Sequence, residues 1–281
     1  MGDLAVVDQA KVNALAAVLG ASQQSSSAGG NSDRLPMLKI SSDEDAQGRE
    51  TKPGMFYVAG TGEDAVYAKT VKVRPLSQLF QWIQYDPEEN KVANKTLMIP
   101  DFKQEPRDMK GGLRCGKPVS KVLRELSKEE QNKYKDITCF RQVRALVSYE
   151  GTTVDGDKKT IENLPVILML KGSNFNPFED EYVKVLPRGK NLYDYWANVS
   201  TEKRRNGSVT YFVMHFEPDL SSPAVVDPDT YDTLLHIAEM VKNENTMINN
   251  AYQKSVREAQ IDDDVLDALE ADLSEDLEDV A

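Results

Sequence analysis

The sequence predicts a β-rich α+β domain, built as a small barrel or a strongly bent antiparallel sheet, with helical N- and C-terminal appendages. Three observations predict it. Between residues 35 and 220 the chain falls into about seven short β-branched and aromatic runs separated by long loops, the pattern of a barrel or bent sheet. Apolar residues at both ends recur instead at helical spacing. Between the first helical stretch and the strands lies SQQSSSAGGNSD (residues 22–33), which has the composition of a flexible linker and sets a segment at 22–34.

The elements follow in order. In residues 1–21, Leu4, Val7, Leu15, Val18 and Leu19 suit a helix that either docks on its own domain or associates with a partner, including a second copy. Met37–Ile40, Met55–Val58 and Ala65–Val73 are strand-like, and GTGED (residues 60–64) suits a hairpin turn between the last two. Leu79–Tyr85 and Lys95–Ile99 form another pair, joined through DPEEN. Residues 117–133 predict short helical structure, with Ser127 and Glu130 spaced as a capping box. Strands resume at Ile137–Tyr149, Leu164–Lys171 and Val209–Phe216, with a helix expected within 176–201. LPVILMLKG is apolar on both faces, so a central strand covered on both sides is expected there. Asp227 and Pro228 suit the N-cap and first position of a helix over 221–257, whose apolar face would be Tyr231, Leu234, Leu235, Ala238 and Val241.

Charge is distributed unevenly. The formal net charge is −12, yet residues 258–281 hold eleven acids and no base. Without them 35 acids face 34 bases, and residues 69–144 carry 17 Lys and Arg against 10 Asp and Glu. A basic middle and an acidic end point to polyanion binding or to a charged interaction tail. No apolar run approaches the roughly 20 residues of a membrane span, and no secretion signal is legible at the start. Two cysteines make no disulfide framework, so a cytoplasmic setting is expected.

Catalytic motifs are absent: there is no GxxxxGK[ST] loop, HExxH, GxSxG or paired CxxC. His215 and His236 are the only histidines, and Cys115 and Cys139 offer no short chelating pair with them. The expectation is a protein that is not an enzyme and takes no cofactor or metal.

Binding of single-stranded nucleic acid needs cations to follow phosphates and aromatic faces to stack on bases. The middle of the chain supplies both. Tyr67, Lys69, Lys72 and Arg74 lie on or beside one strand; Phe80 and Trp82 share a face of the next, with Tyr85 on the other. Phe102, Lys103, Arg107, Lys110 and Arg114 occupy a glycine-containing loop, and Phe140 and Arg144 lie opposite Arg141 on a further strand. These are the candidate DNA-binding residues. Lys203, Arg204 and Arg205 form a second basic patch, expected as an exposed turn.

The tail is patterned as well as charged. Leu266, Leu269, Leu273, Leu277 and Val280 recur at intervals of three and four, an apolar stripe on a helix whose other faces are acidic. Asp262 at its start suits the helix dipole. Repulsion among the acids predicts a segment that is disordered alone and folds on a basic or apolar partner.

A β-rich domain with a basic middle and an acidic tail resembles the single-stranded DNA-binding proteins of bacteria and their phages. NKTLMIPDF, GGLRCGK, ITCFRQVRALV and LPVILMLKGSNFNPF resemble segments of phage-encoded proteins of this kind. The resemblance covers about residues 35–220 plus the tail. It implies an OB fold, sequence-independent binding of single-stranded DNA in phage DNA replication or recombination, and host cytoplasm as the location. It also implies a tail, with Asp262, Leu266, Leu269, Leu273 and Leu277, that recruits replication or recombination proteins and competes with DNA. Such tails commonly end in an aromatic residue, whereas this chain ends Asp279-Val280-Ala281, so the leucine stripe would substitute. Two other classes fit the same features: an acidic adaptor or DNA mimic, and a virion structural protein assembled through the N-terminal helix.

Overall fold

The computed structural model describes residues 35–43, 48–60 and 65–278, and beyond Glu258 only the backbone of the helix. The expected N-terminal helix, the linker, most of the GTGED turn and residues 279–281 lie outside the described residues. Among the described residues there are eight strands: β1 (Met37–Ile40), β2 (Phe56–Ala59), β3 (Thr70–Asp86), β4 (Lys91–Lys95), β5 (Ile137–Thr152), β6 (Lys158–Leu170), β7 (Ala197–Asn206) and β8 (Val209–Pro218). Helices α1 (Ser120–Glu125) and α2 (Lys128–Asn132) fall between β4 and β5, and α3 (Pro228–Glu278) follows β8. Seven strands run in the order β2-β1-β6-β5-β3-β7-β8, and β4 branches from β3. The sheet is a strongly curled half-barrel, in keeping with the β-rich class expected. It is not wholly antiparallel, because β1 meets β6 in parallel at Met37 and Ile167.

The end of the expected strand Ala65–Val73, from Thr70, and the whole of Leu79–Tyr85 form one bent strand, β3. Pro75, which has no amide to donate, faces Ala145 beside a β-bulge, and the register resumes at Ser77 opposite Arg144. The extra residue, Leu76, shifts the side-chain alternation by one. Val71 and Val73 therefore share a face with Phe80 and Trp82 despite their opposite parity. That face lines the inside of the curl, where Val71, Val73, Val143, Ala145, Val147, Leu168, Phe178 and Phe216 form the main core. On the outer face Leu76, Leu79 and Leu146 receive Leu234, Ile237 and Val241 of α3.

Local signals explain the ends of the helices. Ser127 and Glu130 form the capping box, with Ser127 N–H donating to Glu130 Oε2 at 2.9 Å. Asp227 caps α3 by accepting the Thr230 N–H at 2.8 Å. On α3 Leu235 is 41% exposed, whereas Ile237, not expected on the buried face, is fully buried. The helix expected within 176–201 is instead a π-helical turn at Phe178–Val183 and a 3-10 turn at Leu192–Asp194, followed by β7. Only Ala197 and Val199 of β7 are buried, so its charged remainder carries no strand signal. On β6, Val166, Leu168 and Leu170 are buried, while Ile167 and Met169 are half-covered, so one face alone belongs to the core. Finally, α3 continues through Glu258 without a break, where a separate tail was expected.

Candidate nucleic-acid interface

β3 and β5 are antiparallel neighbours whose register sets Phe80 opposite Arg141 and Trp82 opposite Cys139. The chain after β4 returns across this end of the sheet, bridging Ile99 to Phe80. It then turns at Asp101, whose carboxylate accepts the Lys103 N–H at 2.9 Å. The turn lays Phe102 over Trp82, with centroids 5.6 Å apart and planes 14° from parallel. Phe80 and Phe175 lie 5.4 and 5.5 Å from the same ring. Phe102 is 44% exposed, while Phe80 and Trp82 are 4% and 2% exposed. The arrangement is an aromatic stack with one open plate.

Two guanidinium groups border the stack: Arg114 lies 5.2 Å from the Trp82 centroid, and Arg141 lies 4.8 Å from that of Phe175. Cations over ring faces are held by the aromatic quadrupole. The loop that carries Phe102, Lys103, Arg107, Lys110 and Arg114 is anchored rather than loose. Asp108, 1% exposed, accepts the N–H groups of Lys110 and Gly112 at 2.8 and 3.1 Å. Arg107 lies over the Tyr252 ring at 5.2 Å, and Ser255 Oγ donates to the Met109 carbonyl at 3.3 Å, so α3 braces the loop from outside. Arg114 and Cys115 both have left-handed backbones, φ 53° and 56°. Such conformations cost a non-glycine residue about 1–3 kcal/mol, and here burial of Cys115 against the Trp82 cluster holds them.

The candidate residues divide by burial. Phe102, Lys103, Arg107 and Lys110 are exposed, Arg114 is half-buried, and all five sit on the anchored loop. Lys69 and Lys72 are exposed elsewhere; Lys72 lines a shallow hollow of about 320 Å³ with Trp196, Asn198 and Asp219. Tyr85 is 41% exposed at the β3–β4 turn, and half-buried Phe140 lies under the Lys171 ammonium at 5.5 Å.

Four of the polar or hydroxyl-bearing candidates are covered by their surroundings. Tyr67 is buried, with its ring 5.4 Å from Tyr57. Arg74 is buried under α3, donating to the carbonyls of Tyr193 and Val225 at 2.7 and 3.0 Å. Arg141 donates to Gln78 and Glu179 at 2.6 and 2.7 Å. Arg144 donates to Gln142 at 3.0 Å, and burial pushes its guanidinium down to about 10. A nucleic-acid strand cannot reach these four, because each is within the core or sealed beneath a helix. Phe80 and Trp82 are likewise covered, and support Phe102 rather than meet a base directly.

Phe175 and Asp108 were not among the expected residues. Phe175 joins the stack from beyond β6, and Asp108 is one acid among many until its two amide contacts are seen. The expected tail residues Asp262, Leu266, Leu269, Leu273 and Leu277 all fall within α3. Burial raises the thiols of Cys115 and Cys139 to about 12, so both stay protonated near neutrality. His215 lies between Glu181 and Glu202 at 3.0 and 3.1 Å. Among the described residues no group of three or more His, Cys, Asp or Glu side chains is placed to hold a metal ion. Nor, among them, is any helix long and apolar enough to cross a membrane.

No protein-family model matches the chain, and no curated protein or solved structure matches it.

Proposed function

We propose that this chain is a single-stranded DNA-binding protein without sequence preference, acting in phage DNA replication or recombination in the host cytoplasm, and not an enzyme. The observation that carries the reading is the exposed ring of Phe102, stacked on Trp82 in an anchored loop with Lys103, Arg107 and Lys110 exposed beside it. A base stacks on Phe102 because every base has a π-face, and the neighbouring cations neutralise the flanking phosphates. The curl of the sheet supports an OB-like core. The acids of residues 258–278 would serve partner recruitment or competition with DNA.

Fluorescence anisotropy with a labelled oligo-dT tests this reading. Binding is expected at about 50 mM salt and should fall steeply toward about 200 mM as counterion release loses its advantage. Phe102→Ala should weaken binding about 5- to 150-fold, the equivalent of roughly 1–3 kcal/mol of base stacking. No binding by the wild-type chain at low salt overturns the proposal.

A second reading, an acidic adaptor, draws on the continuity of α3. Its last 21 residues, Glu258–Glu278, extend about 30 Å at 1.5 Å per residue, long enough to present the acids to a basic protein. That reading expects no oligonucleotide affinity.

A further inference from the structure

β7 pairs with β3 only from Ala197 to Ser200, but pairs with β8 as far as Asn206 opposite Val209. Beyond Thr201 the two strands leave the sheet as a two-stranded ribbon. Val213 at its base is buried and the Phe212 ring packs on Gly54, so the projecting part is the three pairs from Arg204–Tyr211 to Asn206–Val209, about 10 Å long at roughly 3.3 Å per residue. Gly207, with φ 60°, supplies the first central position of its two-residue turn. All residues from Glu202 to Thr210 are exposed, and Val209 at the tip is 62% exposed.

The edge of β8 is sealed from its base as far out as the Phe212 carbonyl. Asn174 accepts the Met214 N–H at 2.6 Å and donates to the Phe212 carbonyl at 3.2 Å, and Glu181 accepts the Phe216 N–H at 2.9 Å. The ribbon charges are sorted by face. Arg204 is paired with Glu202 at 2.8 Å on one side. Alternation puts Lys203 and Arg205 together on the other, where Arg205 Nε donates to the Gly207 carbonyl at 2.8 Å. Along β3, Thr70 lies beside the ribbon and Trp82 beneath Phe102, so the ribbon and the aromatic stack occupy opposite ends of that strand.

We infer that the ribbon is a second binding surface, and that its partner is duplex B-DNA. A two-stranded ribbon fits a major groove about 12 Å wide, and the groove is about 8.5 Å deep, within the reach of this one. Lys203 and Arg205 meet phosphates on its rim, and Val209 at the tip offers an apolar contact to the groove floor. Single strands need open stacking faces; the ribbon's two aromatics, Tyr211 and Phe212, are half-buried, and none of its exposed residues 202–210 is aromatic. A-form RNA is disfavoured because its major groove is too narrow to admit such an element. The chain would thus hold a single strand at one end and the adjoining duplex at the other.

The test compares a labelled 20-base-pair duplex with an oligo-dT of equal length, using the full chain, a Lys203→Ala/Arg205→Ala variant and Phe102→Ala. The substituted ribbon residues are exposed, so the fold is unaffected. The ribbon variant is expected to lose at least ten-fold in duplex affinity and about two units of log–log salt slope, near 0.9 per phosphate, with oligo-dT binding within two-fold of wild type. Phe102→Ala should do the reverse. Wild-type duplex affinity retained by the ribbon variant overturns the inference, as does an equal loss for both DNAs or no duplex binding by wild type at low salt. Failure of oligo-dT binding alone would instead strike the single-strand reading and leave the ribbon standing.

Discussion

The guanidinium of Arg144 lies beneath α3, 3.0 Å from Gln142 Oε1 and 3.1 Å from Met98 Sδ, with Nη1 unpartnered. Gln142 in turn donates to Gln81 at 2.6 Å, and Gln81 donates to the Thr96 carbonyl at 2.8 Å. The group is one link in a buried polar chain. Arg144→Ala should lower stability by about 2–4 kcal/mol, through a cavity and an orphaned amide oxygen. Arg144→Met, of similar length, should recover most of that loss, since apolar isosteres often replace buried charges at little cost. Oligo-dT affinity of the methionine variant should stay within two-fold of wild type; urea melts and anisotropy on the same preparations check both. Phe102 is the opposite case: it looks like a core residue by type, but it is 44% exposed.

At the scale of the element, α3 depends on its first turn. Hydrogen bonds from the Thr230 hydroxyl and amide hold the Asp227 carboxyl below its usual value. Asp227→Ala should cost about 1 kcal/mol, the usual worth of an N-cap. Because the folded value is depressed, stability from the ionised cap is present above the ordinary carboxylate value of about 3.9 and is lost as pH falls through the lower folded value. Thermal melts should therefore show the gap between wild type and Asp227→Ala narrowing from pH 6 to about pH 3. This cap was legible in the sequence because Asp-Pro before an apolar periodicity is a local signal. The merging of two strands into β3 was not: it depends on Ala145 and Arg144 across the sheet, which set the bulge at Leu76.

At the scale of the molecule, the two rims of the curled sheet approach one another through small contacts. Thr201 Oγ1 donates to the Gly54 carbonyl at 2.6 Å, and Gly54, at φ 86°, lies so close to the Phe212 ring that a Cβ there would collide with it. The bridge between Phe56 and Ala68 ties β2 to the approach of β3. Gly54→Ala should destabilise the fold by about 2–4 kcal/mol, combining left-handed strain with overpacking. Adding Phe212→Leu should restore part of the lost denaturation midpoint by relieving the collision. Equal midpoints for wild type and Gly54→Ala would mean that the rims do not hold the curl.

Features that depend on near neighbours were legible in the order of residues alone. These are the strand-forming runs of residues 35–220, the capping box at Ser127, the start of α3 and the split between a basic middle and an acidic end. Periodicity, capping and charge are read within a few residues, so no tertiary information was needed. Tertiary structure alone decided which cations face water. Arg74, Arg141 and Arg144 share the composition of Lys103, Arg107 and Lys110, but strand pairing and the docking of α3 bury the first three. The same pairing brought Phe175 to Phe102 and projected Lys203 and Arg205 clear of the sheet. Burial depends on what packs over a residue from distant parts of the chain, and no local pattern of residue types records that.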